Sequence, residues 1–259
     1  MLRLIISALL VANTITLAKA EETSGSAELA VRMVYPNQPP FMTADPQTGQ
    51  PTGPVVERIN EIARLANVKV HWDPLMSRRE ILSLLSSDTV ACSPNLLKTS
   101  ERAAHYQFTD PAFAPPRWMI VGSTHLDWHQ YNSANELFSD PQRTFGRLIN
   151  ATFGEYIDRM TLIADSHTQT FRGTLIDLLS MVDVGRIDYF LIGDEAINHI
   201  FDNSQSIDRS RFIFLKFDDL SPLSEGGRIM CSTTVNAKTI TALNRGIEKY
   251  FSIHSDKYR

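Results

Sequence analysis

The sequence predicts an α/β fold whose sheets are mostly parallel and doubly wound. Two observations predict it. Short apolar runs with strand character alternate with segments of helical period from residue 29 onward, and the first five elements read β-α-β-α-β, an order that favours parallel strands joined by helical crossovers.

The elements follow in chain order. Residues 29–35 (LAVRMVY) alternate with strand period, and a proline-rich loop covers 36–41. Residues 55–67 read as a helix with Val55, Val56, Ile59, Ile62, Ala63 and Ala66 on one face. Residues 68–72 (VKVHW) form a second strand, 79–85 a helix and 89–93 (TVACS) a third strand. The stretch 111–116 (PAFAPP) feeds the apolar strand 117–122, as a crossing between two lobes would. Ser133 with Glu136 matches a capping box opening a short helix. A strand at 144–149, a turn at 150–153 and helices at 155–164 and 174–184 come next. A buried strand at 187–192 leads into a helix starting at 195. Residues 212–217 alternate, 228–232 form a late strand, and 237–251 a closing helix with Ile240, Leu243, Ile247 and Phe251 facing inward.

Composition narrows the class. At 43% hydrophobic and 21% charged residues the 259-residue chain is neither disordered nor membrane-embedded. Its formal charge is −4 and its basic residues form no cluster, so nucleic acid is a poor partner. Residues 1–20 carry a basic start (Arg3), an apolar run and the small-x-small ending Ala18-Lys19-Ala20, which reads as a signal peptide rather than an anchor helix. Cleavage near Ala20 places the protein in the periplasm, and no later run is long and apolar enough for a span. Cys92 and Cys231 lie in strand-like runs, so they are either a disulfide permitted by that compartment or two buried thiols.

Two charged groups stand where apolar strands end. Arg102 lies in 97–111 (LKTSERAAHYQFTDP) and Asp194 closes 184–194 (VGRIDYFLIGD). A cation and an anion at strand ends suit a small zwitterion, and point to capture of a solute rather than chemistry on one.

Four segments together resemble the extracellular solute-binding proteins of family 3, whose best-known members deliver polar amino acids to ABC importers. They are Pro39-Pro40-Phe41 followed by Gly53 and Glu57; Thr99-x-x-Arg102 followed by Phe108-Thr109-Asp110-Pro111; Gly185-Arg186-Ile187-Asp188 leading to Asp194-Glu195; and the closing strand and helix. The resemblance spans nearly the whole chain after the leader. It implies a two-lobe, type II periplasmic binding protein-like fold with ligand in the cleft. Lobe 1 would be residues 28–115 plus 228–259, lobe 2 residues 117–222, joined by two hinge crossings.

The resemblance also implies site roles. Arg102 would grip a carboxylate through two parallel charge-assisted hydrogen bonds, against the alternative of a surface arginine paired with Glu101 or Asp110. Asp194 would hold an ammonium group, or serve as a helix N-cap. Asn150, Ala151 and Thr152 fall where relatives present backbone N–H groups to anionic charge. Asn95 and Leu97 replace small hydroxyl residues of amino-acid binders, and Gln38 replaces an aromatic. Tyr35, Trp72, Trp118 or Phe153 would supply an aromatic wall or serve as core. Arg78 or Arg79 facing the cleft would suit a ligand more anionic than a simple amino acid. The expected protein is a monomer without cofactor, binding a small molecule and docking on a membrane permease or, alternatively, a signalling receptor. An enzyme is the weaker reading. His125 and His129 form H-x-x-x-H without a clear third ligand, no G-x-S-x-G element occurs, and only a dehydratase-like use of Asp194 with Glu195 could be cast.

Overall fold

Alternation decides the first strand. In β1 (Leu29–Met33) Val31 and Met33 are buried while Ala30 and Arg32 face solvent. The computed structural model describes residues 29–73, 76–204, 207–220 and 226–254, so the expected leader at 1–20 lies outside the described residues. After the proline-rich turn, β2 (Thr43–Ala44) and β3 (Pro51–Thr52) form a small hairpin. Helix α1 (Pro54–Ala66) opens with proline, whose fixed φ suits the first turn, and stops at Asn67 in the left-handed region (φ 55°). Its buried stripe is Val55, Val56, Ile59, Ile62 and Ala63.

β4 (Val68–Trp72) follows, then α2 (Arg78–Leu85). A full capping box starts α2: Ser77 accepts from the Glu80 N–H, and the Glu80 carboxylate accepts from the Ser77 N–H at 2.7 Å. β5 (Ala91–Leu96) begins two residues later than its apolar run suggested and extends to the cleft. A single-turn helix, α3 (Ser100–Ala103), and β6 (Gln107–Pro111) complete this part.

The chain then enters a second sheet. Its elements are β7 (Trp118–Ser123), α4 (Ala134–Phe138), β8 (Phe145–Leu148), α5 (Glu155–Thr161), β9 (Thr168–Phe171), α6 (Leu175–Asp183), β10 (Tyr189–Gly193), α7 (Asp194–Asn203) and β11 (Phe212–Leu215). A 3-10 segment, Leu162–His167, continues α5. The Ser133 hydroxyl caps α4 as expected, but Glu136 reaches back to the Asn132 N–H rather than to Ser133. The chain returns through β12 (Arg228–Cys231) and ends in α8 (Ala237–Ile253).

Two five-stranded sheets result, ordered β4-β1-β5-β12-β6 and β11-β7-β10-β8-β9. Each is mixed. β1 runs parallel to β4 and β5, whereas β12 is antiparallel to both β5 and β6. In the second sheet β8 runs parallel to β9 and β10, and β7 is antiparallel to β10 and β11. The antiparallel partners are strands next to the passages between the sheets, where the chain arrives from the opposite end. The passages touch: the N–H groups of Ala112 and Phe113 both donate to Gly227 O, at 2.8 and 3.0 Å. A β-carbon on Gly226 would come within 1.9 Å of the backbone oxygen of Phe113, so the close approach there requires glycine.

Each sheet has its own apolar core. Residues of β1, α1, β12 and α8 pack one face of the first, and Val34, Ile81, Leu85, Ala91 and Met230 the other. Helices α1 and α8 approach closely at Gly246, where a β-carbon would meet Ile62 O at 2.4 Å. The second sheet is covered by Leu137, Phe138, Phe153 and Ile157 on one side and Leu178, Leu179, Val182 and Ile197 on the other. Among the described residues no helix is long and apolar enough to cross a membrane.

Cys92 and Cys231 are directly opposed on β5 and β12 and form a disulfide; both are fully buried. The bridge joins residues 139 apart in sequence and ties the outgoing part of the first sheet to the returning strand. We predict that the Cys92→Ala/Cys231→Ala protein loses about 2–5 kcal/mol of stability in urea unfolding, the cost of releasing a long closed loop; an unchanged midpoint would show that strand packing alone holds β12.

Candidate functional site

A cleft of about 440 Å³ lies between the two sheets. It collects the C-terminal ends of strands from both: Asn95 to Leu97 at the end of β5, Leu148 at the end of β8, and Leu191 to Asp194 at the end of β10. Strand ends gather unpaired backbone groups and helix starts, which makes them natural binding edges.

The first wall is basic. Thr99 accepts from the Arg102 N–H and so starts the short α3. That turn carries the Arg102 side chain into the cleft, where it donates to Leu97 O at 2.9 Å. Arg102 makes no ion pair within 4 Å among the described residues, so the surface pairing with Glu101 or Asp110 is not what the fold adopts. Burial holds its pKa below the ordinary arginine value, opposed by the negative charges of Asp158 and Glu101. Arg78 also lines the cleft and donates to Gln38 Oε1 at 3.2 Å, whereas Arg79 is exposed. Arg58 joins this wall from α1, its guanidinium 4.9 Å from the Phe113 ring centre. Sequence reading passed over Arg58. The available signal was its place three residues after buried Val55, a charge on an otherwise apolar stripe.

The second wall carries the acids. Asp194 is the first residue of α7, with Gly193 as the N-cap, so Asp194 itself is not the cap. Its carboxylate is buried and both oxygens are engaged: Oδ1 accepts from the Glu195 N–H at 2.8 Å, and Oδ2 pairs with Arg117 Nε at 2.7 Å. Arg117, the residue after the proline pair of the first passage, is mostly exposed. A carboxylate offers about four acceptor positions, so these contacts do not exhaust Asp194. Glu195 and His199 line the same wall.

The turn before α5 is arranged differently from expectation. Ala151, Thr152 and Phe153 line the cleft, but the Phe153 N–H donates to Asp158 Oδ1 at 2.9 Å and the Gly154 N–H to Thr152 Oγ1 at 3.3 Å. Thr152 in turn donates a short hydrogen bond to Asp158. The Phe153 and Gly154 N–H groups are thus engaged within the turn, by Asp158 and by Thr152. Asn150 adopts φ 57° and lines a small adjoining recess with Gln38, Asn95, Arg78 and Arg102, not the main cleft. Asn95 borders both spaces, at φ 56°.

Aromatic residues divide between wall and core. Trp118 and Phe153 meet edge to face at 5.2 Å in the cleft, and Trp118 Nε1 is buried with no hydrogen-bond partner among the described residues. Tyr35, offered as a wall residue, is instead fully buried in the first core against Trp72. Period two explains this correction: Val31, Met33 and Tyr35 share one face, and α1 covers it. Trp72 packs at the edge of that core and donates to Asn60. His125 and His129 are exposed in a turn, and among the described residues no three potential metal ligands cluster.

Among the described residues two contacts span the cleft. The Phe41 ring lies over His199 with centroids 5.3 Å apart, and the Ser100 N–H donates to Glu155 Oε1 at 2.7 Å. Hydrogen bonding from Ser100 holds the Glu155 carboxyl below the usual range. Phe41 belongs to the Pro-Pro-Phe motif, but nothing local to the sequence marks Ser100 or Glu155 as partners.

With this geometry in view, comparison with known proteins is informative. The profile of the bacterial extracellular solute-binding proteins, family 3, matches residues 31–250. No relative is found among the curated proteins. Among solved structures, the chain is similar to an ancestral arginine-binding protein bound to arginine, at TM-score 0.66 and 19% identity, covering 88% of this chain and 97% of that one. It is similar to a histidine kinase sensor domain with similarity to periplasmic binding proteins, at TM-score 0.67 and 17% identity, covering 89% and 95%. A structure from work on glutathione import through GshT and the cystine ABC importer of Streptococcus mutans gives TM-score 0.68 and 16% identity, covering 88% and 91%. At such identities these likenesses show the fold alone.

Asp158 is the residue that organises the Thr152–Phe153 turn. Asp158→Ala should cost about 1–3 kcal/mol, because it strands a backbone N–H and a hydroxyl; urea unfolding measures it, and an unchanged midpoint would show that the turn holds without those bonds.

Proposed function

We propose a capture function, from the premise that the chain belongs to the bacterial extracellular solute-binding proteins of family 3. It takes up a small polar solute bearing a carboxylate, an amino acid or a related acid, in the cleft between its sheets. The observation that carries this reading is Arg102: a guanidinium lining the cleft, partly stripped of water and bonded to a neutral carbonyl rather than to a carboxylate. A cation held this way gains most from an anion that completes its hydrogen bonds.

The mechanism is hinged closure. Lobe 1, residues 28–115 plus 228–259, receives the solute on Arg102, with Asn95 beside it. Lobe 2, residues 117–222, then closes and brings Asp194, Thr152 and the Trp118–Phe153 pair onto it. The Trp118 donor and the acceptor capacity left on Asp194 give the solute contacts that exist in the closed state. Such differential contacts are what shift a two-state equilibrium. Closure also forms the Phe41–His199 and Ser100–Glu155 contacts, so part of the closed state's stability comes from the protein itself. The setting is the periplasm after removal of residues 1–20, and the loaded form docks as a monomer on the permease of an ABC importer. A second reading keeps the capture step and changes the recipient to a membrane signalling receptor; the likeness to a histidine kinase sensor domain favours keeping it in view. No step of covalent chemistry is assigned to the cleft.

The test is titration calorimetry against L-arginine, L-glutamine, L-glutamate and glutarate, with small-angle scattering on the same samples. The protein binds at least one of them and becomes more compact, and Arg102→Ala weakens that binding by about 2–5 kcal/mol. Affinity of the variant within about twofold of the parent would remove Arg102 from the site.

A further inference from the structure

Besides Arg58, the basic wall of the cleft holds two half-buried guanidinium groups, Arg78 and Arg102, and one carboxylate on the solute supplies a single negative charge for the two. Arg78 begins α2, on an element separate from Arg102, yet both side chains line the cleft and both line the recess that adjoins it. The Arg-Arg pair in the sequence splits: Arg79 is exposed, and Arg78 turns inward. Among the described residues Arg78 makes no ion pair, and its guanidinium donates to the neutral amide oxygen of Gln38 at 3.2 Å. Arginine stays protonated in proteins, so this charge persists at any working pH. Burial and the like charge on Arg102 both act against it.

The two acids on the opposite wall do not resolve this. Asp194 is already paired with Arg117, and neither Asp194 nor Glu195 forms an ion pair with Arg78 or Arg102 among the described residues. A solute with one carboxylate on Arg102 would close the cleft over a second, uncompensated cation. Burying a charge without a counter-charge is strongly unfavourable.

We propose that the captured solute carries two anionic groups a short carbon chain apart, one on Arg102 and the second on Arg78. This deepens the capture reading and rests on it. Acidic amino acids and plain dicarboxylates share the chemistry. They differ in the ammonium group, for which Asp194 is the available acceptor.

The experiment is calorimetry of the wild-type chain with four acid–amide pairs that differ by one charge at nearly constant shape: L-glutamate and L-glutamine, L-aspartate and L-asparagine, glutarate and its monoamide, succinate and its monoamide. At least one acid should bind about thirtyfold or more tightly than its amide, the scale of one buried charge pair. Preference for the amino acids over the plain diacids assigns the first source, and the reverse assigns the second. In Arg78→Gln the acid–amide ratio should fall to within about threefold, and Arg78→Lys should restore much of it. If Arg78→Gln does not fold, the wild-type ratio decides alone. Amides that bind as tightly as their acids overturn the second anion and leave solute capture standing. A ratio unchanged in Arg78→Gln also overturns the assignment to Arg78. Failure of every acid at millimolar concentration overturns the proposal, and if the amides and arginine fail as well, the capture reading falls with it.

Discussion

The structure turns on the cost of holding positive charge in a cleft with no ion pair in direct contact among the described residues. A guanidinium moved from water toward an apolar wall loses solvation that only an anion or a full set of acceptors returns. Among the described residues Arg102 and Arg78 have one neutral acceptor each, Leu97 O and Gln38 Oε1. Around them stand Phe41, Val55, Leu97, Trp118 and Phe153, which lower the local dielectric and strengthen any charge pair formed there. The acid across the cleft, Asp194, is already stabilised by Arg117 and by its place in the first turn of α7. The walls are therefore unequal: among the described residues the first carries two guanidinium groups without an ion pair, and the second an aspartate already paired.

The fold makes this asymmetry durable. Arg102 rides on a single helical turn, which could not hold a position by itself. It is fixed because Thr99 caps the turn and the turn follows β5, a central strand bound on both sides by β1 and β12. The Cys92–Cys231 bridge fastens that strand to the returning β12. The passages between the sheets lie against each other, with the Ala112 and Phe113 N–H groups both donating to Gly227 O. On the far side, Asp158 ties the Thr152–Phe153 turn to α5 and gives the second wall a fixed shape.

How much of this could be read from residues alone depends on how local the cause was. The helix stripes of α1, α6 and α8 and the apolar strands β7 and β10 were legible, because period 3.6 or an unbroken apolar run sets them. Strands β6 (QFTDP) and β9 (TQTF) were not: both are short and polar, and β6 exists because β12 returns to pair with it. The disulfide was undecidable for the same reason, since it depends on the register of two strands from distant parts of the chain. Arg102 and Asp194 were legible through the motifs around them, and the cleft does bring both to its walls. Tyr35 was misplaced because one strand's alternation continues two residues beyond its end. Arg117 and the Ser100–Glu155 contact answer to tertiary neighbours, and no pattern along the chain marks them.

The most direct test of the account is the melting temperature of the protein without residues 1–20, measured with millimolar carboxylates in one series and millimolar polyamines in the other. A solute that binds the folded state raises the midpoint by mass action. An unmatched basic wall predicts that carboxylates raise it and that putrescine and spermidine do not. Stabilisation by the polyamines, with none by any carboxylate, would contradict the charge assignment from which the rest follows.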